Sequence, residues 1–328
     1  MRELIKTRDL KPGMYVILPG SWFKHPFLTN EFVIKTRDQI DKIIDYGIRE
    51  IIIDTSKGIG PANAASGSGA EDPLSTPPVT WTPENLVPPS LREAIHDRSL
   101  PPDQKSRIVY ESSLVLVERL FEDPKAENIH EAKKGIAEVV DLIISDDATA
   151  KELLKITAYD FYTYTHSVNV GVFGVMLSKT LFKGSDAHNM HELGAGFFLH
   201  DIGKVRIDPA ILNKPGKFTD EEMEKMRSHP YQGYKILKEA NQLTEECMVI
   251  AMQHHEREDG TGYPRNLKRD AIHTYARICS IADVYDALTA ERSYKKRMDT
   301  FPALRFMKEN MLNHFHQEIF ETFVMLFT

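Results

Sequence analysis

Cysteine is scarce: among 328 residues there are two, Cys247 and Cys279. Two thiols cannot build a disulfide framework, so both are expected to be free and buried in a reducing compartment. Long apolar runs are missing too. None reaches the length needed to span a bilayer, and Met1-Arg2-Glu3-Leu4 does not open a signal-peptide core. The expected setting is cytoplasmic and soluble, with no membrane partner. Positive charge is in deficit. The formal net charge is −7, which offers nothing to a nucleic-acid polymer or an anionic membrane. An anionic substrate would have to be met by local cations or by metal. No internal repeat is visible, and the length suffices for two domains.

Three zones differ in composition. Residues 1–57 alternate short apolar runs with one helical pattern. Met14-Tyr15-Val16-Ile17-Leu18 and Glu50-Ile51-Ile52-Ile53-Asp54 read as strands, and Ile40, Ile43 and Ile44 are spaced for a helix between them. This predicts a small α/β module with no metal-ligand cluster, suited to a regulatory or docking role or to a structural cap. Residues 58–102 are rich in Pro, Gly, Ser and Ala, as in Ala64-Ala65-Ser66-Gly67-Ser68-Gly69, and read as a flexible linker. Trp81 and Leu86 are its candidate anchors on a neighbouring surface. Residues 103–328 are helical almost throughout, with helices expected at about 103–122, 127–145, 160–182, 186–200, 219–240, 244–255, 274–291 and 300–312. A last short helix is expected after Phe315. The fold class is mainly α: a helical bundle with a small N-terminal α/β module.

What the chain does have is imidazole beside carboxylate. The richest stretch is His254-His255-Glu256-Arg257-Glu258-Asp259-Gly260-Thr261-Gly262-Tyr263-Pro264, two adjacent histidines followed by an acidic, glycine-rich turn. His200-Asp201-Ile202-Gly203-Lys204 lies upstream and Asp283 downstream. Neutral imidazole and carboxylate are what a divalent first-row metal prefers. A set without thiolate points to a catalytic metal site open to water, not a closed structural one. Each member has an ordinary explanation taken alone. His200-Asp201 could be a helix C-terminus with a favourable dipole contact. His166, in mid-helix, could be a satisfied core residue. His229, before Pro230, could be a first-turn residue. Asp283, however, sits in the otherwise apolar Ile281-Ala282-Asp283-Val284-Tyr285, where a buried lone carboxylate is costly unless paired or metal-bound. A second His-Asp dipeptide, His96-Asp97, is read as accidental.

Taken together, these residues resemble the HD-GYP phosphodiesterases, the branch of the HD metal-dependent phosphohydrolases that acts on cyclic di-GMP. The resemblance rests on Tyr164-Thr165-His166-Ser167, the HDIGK run at 200–204, His229-Pro230 with Gly233, His254-His255-Glu256 with Gly262-Tyr263-Pro264, and Ile281 to Thr289 with Arg292 and Lys295. It covers roughly residues 105–328, and the motifs recur in order. It implies an HD-type helical bundle with metal ligands at His166, His200, Asp201, His229, His254, His255 and Asp283, Asp201 being the bridging carboxylate. Some members carry a Glu one turn before the first His and hold a third metal. Tyr162 stands at that position here, so a two-metal site is expected. Iron is the family's usual metal, and manganese fits the same ligands.

The chemistry implied is hydrolysis of cyclic di-GMP through pGpG towards GMP. Two divalent cations about 3.5–4 Å apart make hydroxide available near neutral pH and neutralise charge on the phosphoryl oxygens. The expected catalytic residues are Asp201, Lys204 and Tyr263. The expected substrate-binding residues are Lys204 and Tyr263, with Arg292 and Lys295 placed for a second phosphate. Asp286 is read as orienting a ligand or nearby backbone. Two other readings stay open. One is a broader HD phosphohydrolase acting on another nucleotide. The other is a metal-binding cyclic dinucleotide receptor or protein-interaction module with little turnover. The resemblance also implies that the Gly-Tyr-Pro loop contacts diguanylate cyclase (GGDEF) domains. Oligomeric state stays open between a monomer and a homodimer.

Overall fold

The computed structural model describes residues 2–18, 31–34, 36–45, 48–58, 81–157, 163–212, 214, 216–290 and 297–328. The chain divides into two units, Met1–Pro77 and Pro78–Thr328.

In the first unit alternating side chains build an antiparallel sheet of β1 (Arg2–Lys6), β2 (Tyr15–Ile17), β3 (Glu31–Val33) and β4 (Glu50–Asp54), ordered β1-β4-β2-β3. The period-2 pattern is visible in β4. Ile51 and Ile53 are buried while Ile52 faces out opposite Leu4. Helix α1 (Arg37–Asp45) contributes Ile40 and Ile43 to the same core, beside Met14 and Val16. The strands β2 and β4 and the helix follow the sequence pattern. β1 and β3 were not expected: Arg2–Lys6 carries charge at both ends, and β3 has three residues.

The second unit is a bundle of helices. Helix α2 (Pro89–His96) is followed by α3 (Pro102–Glu122), α4 (Ala126–Ser145), α5 (Asp147–Ile156), α6 (Thr163–Leu181) and α7 (Met190–Phe198). After these come α8 (Pro209–Leu212), α9 (Asp220–Met226), α10 (His229–Ala240), α11 (Glu245–Gln253), α12 (Thr274–Thr289), α13 (Thr300–Asn310) and α14 (Gln317–Met325). Helix α6 is the central one. Val168, Val170, Val172, Phe173 and Val175 are all buried, the mark of a helix surrounded by others. It packs on α3, α7, α12 and α14. Its contact with α7 is close enough that a Cβ at Gly171 would lie 2.3 Å from the Phe198 ring, so glycine there lets the two backbones approach. Helix α5 was not anticipated. Asp146 caps it by accepting from Thr149 N–H at 3.0 Å. The expected helix over 219–240 is broken at Arg227-Ser228, where α10 restarts with His229 and Pro230.

The expected linker reaches too far. Residues 59–80 lie outside the described residues, but from Trp81 onward the chain is part of the helical unit. Trp81, Leu86, Leu91 and Ala94 are buried in the bundle core. The Trp81 indole donates to Glu122 Oε2 at 2.9 Å, and Arg119 donates to the Asn85 carbonyl at 2.6 Å. Averaging composition over 58–102 hid these apolar residues behind the Pro- and Ser-rich stretch preceding them. Leu86→Ala is expected to cost about 2–5 kcal/mol of unfolding free energy in denaturant titration. An unattached linker would give a change below about 0.5 kcal/mol.

Candidate metal centre

Four helix termini and one helix interior converge on one buried point. His166 comes from the first turn of α6, and His200 and Asp201 follow α7 and lead into a 3-10 turn at Ile202–Arg206. His229 begins α10, His254 caps α11 with His255 next to it, and Asp283 lies within α12. The turn after Asp201 presses against the start of α10. A Cβ on Gly203 would fall 2.0 Å from the His229 carbonyl oxygen and 2.4 Å from Gly233 N. Only hydrogen fits there, and this contact brings His229 to Asp201.

Two groups of ligand atoms form, each within 4.8 Å of one another, and they share one residue. His166, His200 and Asp201 make the first; Asp201, His229, His254 and His255 make the second. The two carboxylate oxygens of Asp201 divide the work. Oδ2 lies 3.5 Å from His166 Nε2 and 3.5 Å from His200 Nε2, while Oδ1 lies 3.2 Å from His229 Nε2 and 3.8 Å from His254 Nε2. Asp283 touches both groups. Its Oδ1 is 3.0 Å from His166 Nε2, and its Oδ2 is 3.4 Å from His255 Nδ1. The seven expected ligands are therefore brought together. Lys204 joins them, with Nζ 2.5 Å from Asp201 Oδ2.

The outward nitrogens settle which way the imidazoles face. His200 Nδ1–H donates to the Phe197 carbonyl at 2.8 Å, His229 Nδ1–H to the Met226 carbonyl at 2.7 Å, and His254 Nδ1–H to the Ala251 carbonyl at 2.9 Å. His166 Nδ1–H donates to Asp286 Oδ2 at 2.7 Å. A carbonyl can only accept, so the inward Nε2 of a neutral ring carries a lone pair. Nε2 of His229 and Nε2 of His254 nevertheless lie 3.3 Å apart. Buried Asp201 Oδ1 accepts no hydrogen bond of good geometry among the described residues. Lone pairs facing one another at a buried centre repel unless a cation lies among them. The residues therefore fit a pair of divalent ions with N and O ligands.

Electrostatics agree. Burial, and then neighbouring imidazoles, hold His254 well below its ordinary value. Burial lowers His200 to about 4 and His255 to about 3, so all three rings are neutral ligands. Burial works against the Asp201 carboxylate, but Lys204 and the flanking histidines hold it well below the usual range. Asp283 is likewise held down against burial by His166 and His255. His166 runs the other way. Burial opposes its charge, yet Asp283 and Asp286 raise it to about 9.

The mouth of the centre is formed by His255 and the glycine-rich loop. The Tyr263 ring stacks on His255 with centroids 4.6 Å apart, and the Arg227 guanidinium lies 5.4 Å from the Tyr263 ring centre. Glu256 clasps the loop: Oε1 accepts from Arg265 N–H at 2.7 Å and Oε2 from Leu267 N–H at 2.9 Å. Sequence reasoning placed Glu256 in its motif without giving it a role, and missed Arg227. A base two residues before His229 is too common a signal to single out, and an acid beside a His pair does not say which backbone amides it holds. Arg292, Lys295 and Tyr162 lie outside the described residues. His96 and Asp97 bond only locally, to the Arg92 carbonyl and to Ser99.

A helical bundle gathering histidines and aspartates into two groups with a shared carboxylate defines the class of HD-domain phosphohydrolases. Comparison with known proteins agrees. Residues 161–319 match the HD domain family, and residues 3–141 match a domain of unknown function (DUF3391). The chain is similar to the cyclic di-GMP phosphodiesterase PA4108 of Pseudomonas aeruginosa, 31% identical over 99% of this chain and 76% of that protein. It is also similar to 3'3'-cGAMP-specific phosphodiesterase 3 of Vibrio cholerae, 33% identical over 66% of this chain and 49% of that one. Among solved structures, Bd1817, an HDG"Y"P protein from Bdellovibrio bacteriovorus, shares the fold. Its TM-score is 0.64 at 16% identity, over 100% of this chain and 99% of that one. The chain belongs to the HD-GYP family.

The raised His166 gives a pH prediction. Below about 9 the metal-free ring keeps a second proton, on Nε2 facing Asp283, and a cation must displace it. Metal loading near neutral pH is expected to release about one proton from this site, and apparent affinity is expected to rise with pH until about 9. Calorimetry in buffers of different ionisation enthalpy measures the release. Buffer-independent heats would contradict it.

Proposed function

We propose that the protein hydrolyses cyclic di-GMP through pGpG towards GMP at a binuclear centre, with iron as the working metal and manganese as its substitute. The observation that carries this reading is Asp201, each of whose carboxylate oxygens serves a different ligand group. When bound, a pair of divalent ions supplies Lewis acidity, lowering the pKa of a water and neutralising phosphate charge.

The chain's own groups do the rest. His166, His200, His229, His254, His255, Asp201 and Asp283 hold the ions, and the buried imidazoles leave the site net positive towards a diester. Lys204 is held beside Asp201 Oδ2 and is the cation best placed for a non-bridging phosphate oxygen. Burial, and then the charges of Asp283 and Asp201, push the Tyr263 hydroxyl far above its ordinary value. It therefore stays protonated and acts as a donor to the phosphate or the leaving oxygen. Arg227, over the Tyr263 ring, adds positive charge at the mouth. Arg292 and Lys295 are assigned the second phosphate. The N-terminal unit contributes no residue to either ligand group among the described residues, in keeping with a regulatory or docking role. The Gly-Tyr-Pro loop is the surface assigned to diguanylate cyclase domains.

The test is turnover by protein loaded without oxygen with iron or with manganese, offered cyclic di-GMP, 3'3'-cGAMP and pGpG in parallel. Cyclic di-GMP is expected to be cleaved. Lys204→Met is expected to lower kcat/KM about 10²- to 10³-fold while the metal content stays that of the wild type. Two bound metals with no cleavage of any dinucleotide would overturn the enzymatic reading, and preference for 3'3'-cGAMP would overturn the substrate.

A further inference from the structure

Of the four imidazoles whose Nδ1 points outward, three are backed by peptide carbonyls and one, His166, by a carboxylate. That carboxylate is itself held. Asp286 is fully buried. A buried carboxylate that must keep its charge needs further donors. Asn169, fully buried on α6 one turn after His166, supplies one, its Nδ2 donating to Asp286 Oδ1 at 2.7 Å. The second Nδ2 hydrogen goes to the Thr157 carbonyl at 2.9 Å, at the end of α5. Asn169 Oδ1 accepts from the Tyr110 hydroxyl on α3 at 2.7 Å. Both amide donors and the amide oxygen are used, so the side chain cannot turn over without losing its partners.

We infer that Asn169 is a positioning residue for one half of the binuclear centre. Through Asp286 it fixes the tautomer and the aim of His166, and Tyr110 fixes Asn169 in turn. The chain Tyr110–Asn169–Asp286–His166 runs from α3 across α6 and α12 to the ion shared by His166, His200 and Asp201. The other ion, at His229, His254 and His255, has no part in it. Polar networks of this kind act as a unit because each bond sets the orientation of the next. The inference rests on the reading of the two ligand groups as metal sites.

The experiment is anaerobic titration of the full chain with Mn²⁺, followed by calorimetry and by electron paramagnetic resonance, which separates a coupled ion pair from an isolated ion. Wild type is expected to bind two ions with the spectrum of a coupled pair. Asn169→Ala is expected to weaken one ion about 10- to 100-fold and leave the other at wild-type affinity, giving the isolated-ion spectrum at intermediate manganese. Tyr110→Phe keeps the ring in the core and removes the outermost bond. It is expected to weaken the same ion about two- to tenfold. If Asn169→Ala does not fold, as read by circular dichroism, Tyr110→Phe decides alone. Wild-type affinity for both ions in a folded Asn169→Ala or in Tyr110→Phe, or equal weakening of both, overturns the inference. A wild type that binds no ion pair sinks the underlying metal reading instead, and the inference with it.

Discussion

Everything in the site depends on one carboxylate facing two sets of lone pairs. Asp201 cannot satisfy the inward nitrogens of His200, His229 and His254, since none of these offers it a proton once its outer nitrogen has donated to backbone. The second proton that Asp283 and Asp286 favour on His166 sits on the nitrogen a cation would use. The surrounding bundle keeps that arrangement buried and fixed. The α6–α7 contact brings the first pair of histidines together, and the glycine-to-glycine contact between the turn after Asp201 and α10 delivers the third.

Much of this was legible in the sequence. The ligand set came from residue types whose burial is costly unless they bind something. Doubled imidazole after an apolar helix and a carboxylate inside Ile281–Leu288 are such anomalies, and the structure brings both to the same centre. Helices with long apolar periodicity, α3, α4, α6 and α12, lie close to where the pattern put them.

What was not legible has physical reasons. Helix α5 depends on a cap from Asp146 and on packing against α3, and its own apolar stripe is short. Residues 81–102 looked like linker because a few anchoring side chains are diluted by proline and serine, whereas burial depends on which residues meet a core and not on their average. The roles of Glu256 and Asn169 escaped notice because hydrogen bonding to backbone amides or to a distant carboxylate leaves no periodic trace. Their partners lie 9 to 117 residues away in the chain.

The backing of the four imidazoles also bears on how such a centre can change over generations. A peptide carbonyl is present whatever the side chain, so the rings resting on Phe197, Met226 and Ala251 are supported by atoms that point mutation cannot delete. His166 leans on a side chain. Heritable variation can therefore retune the electron donation of that one imidazole without moving backbone, while the scaffold stays as it is.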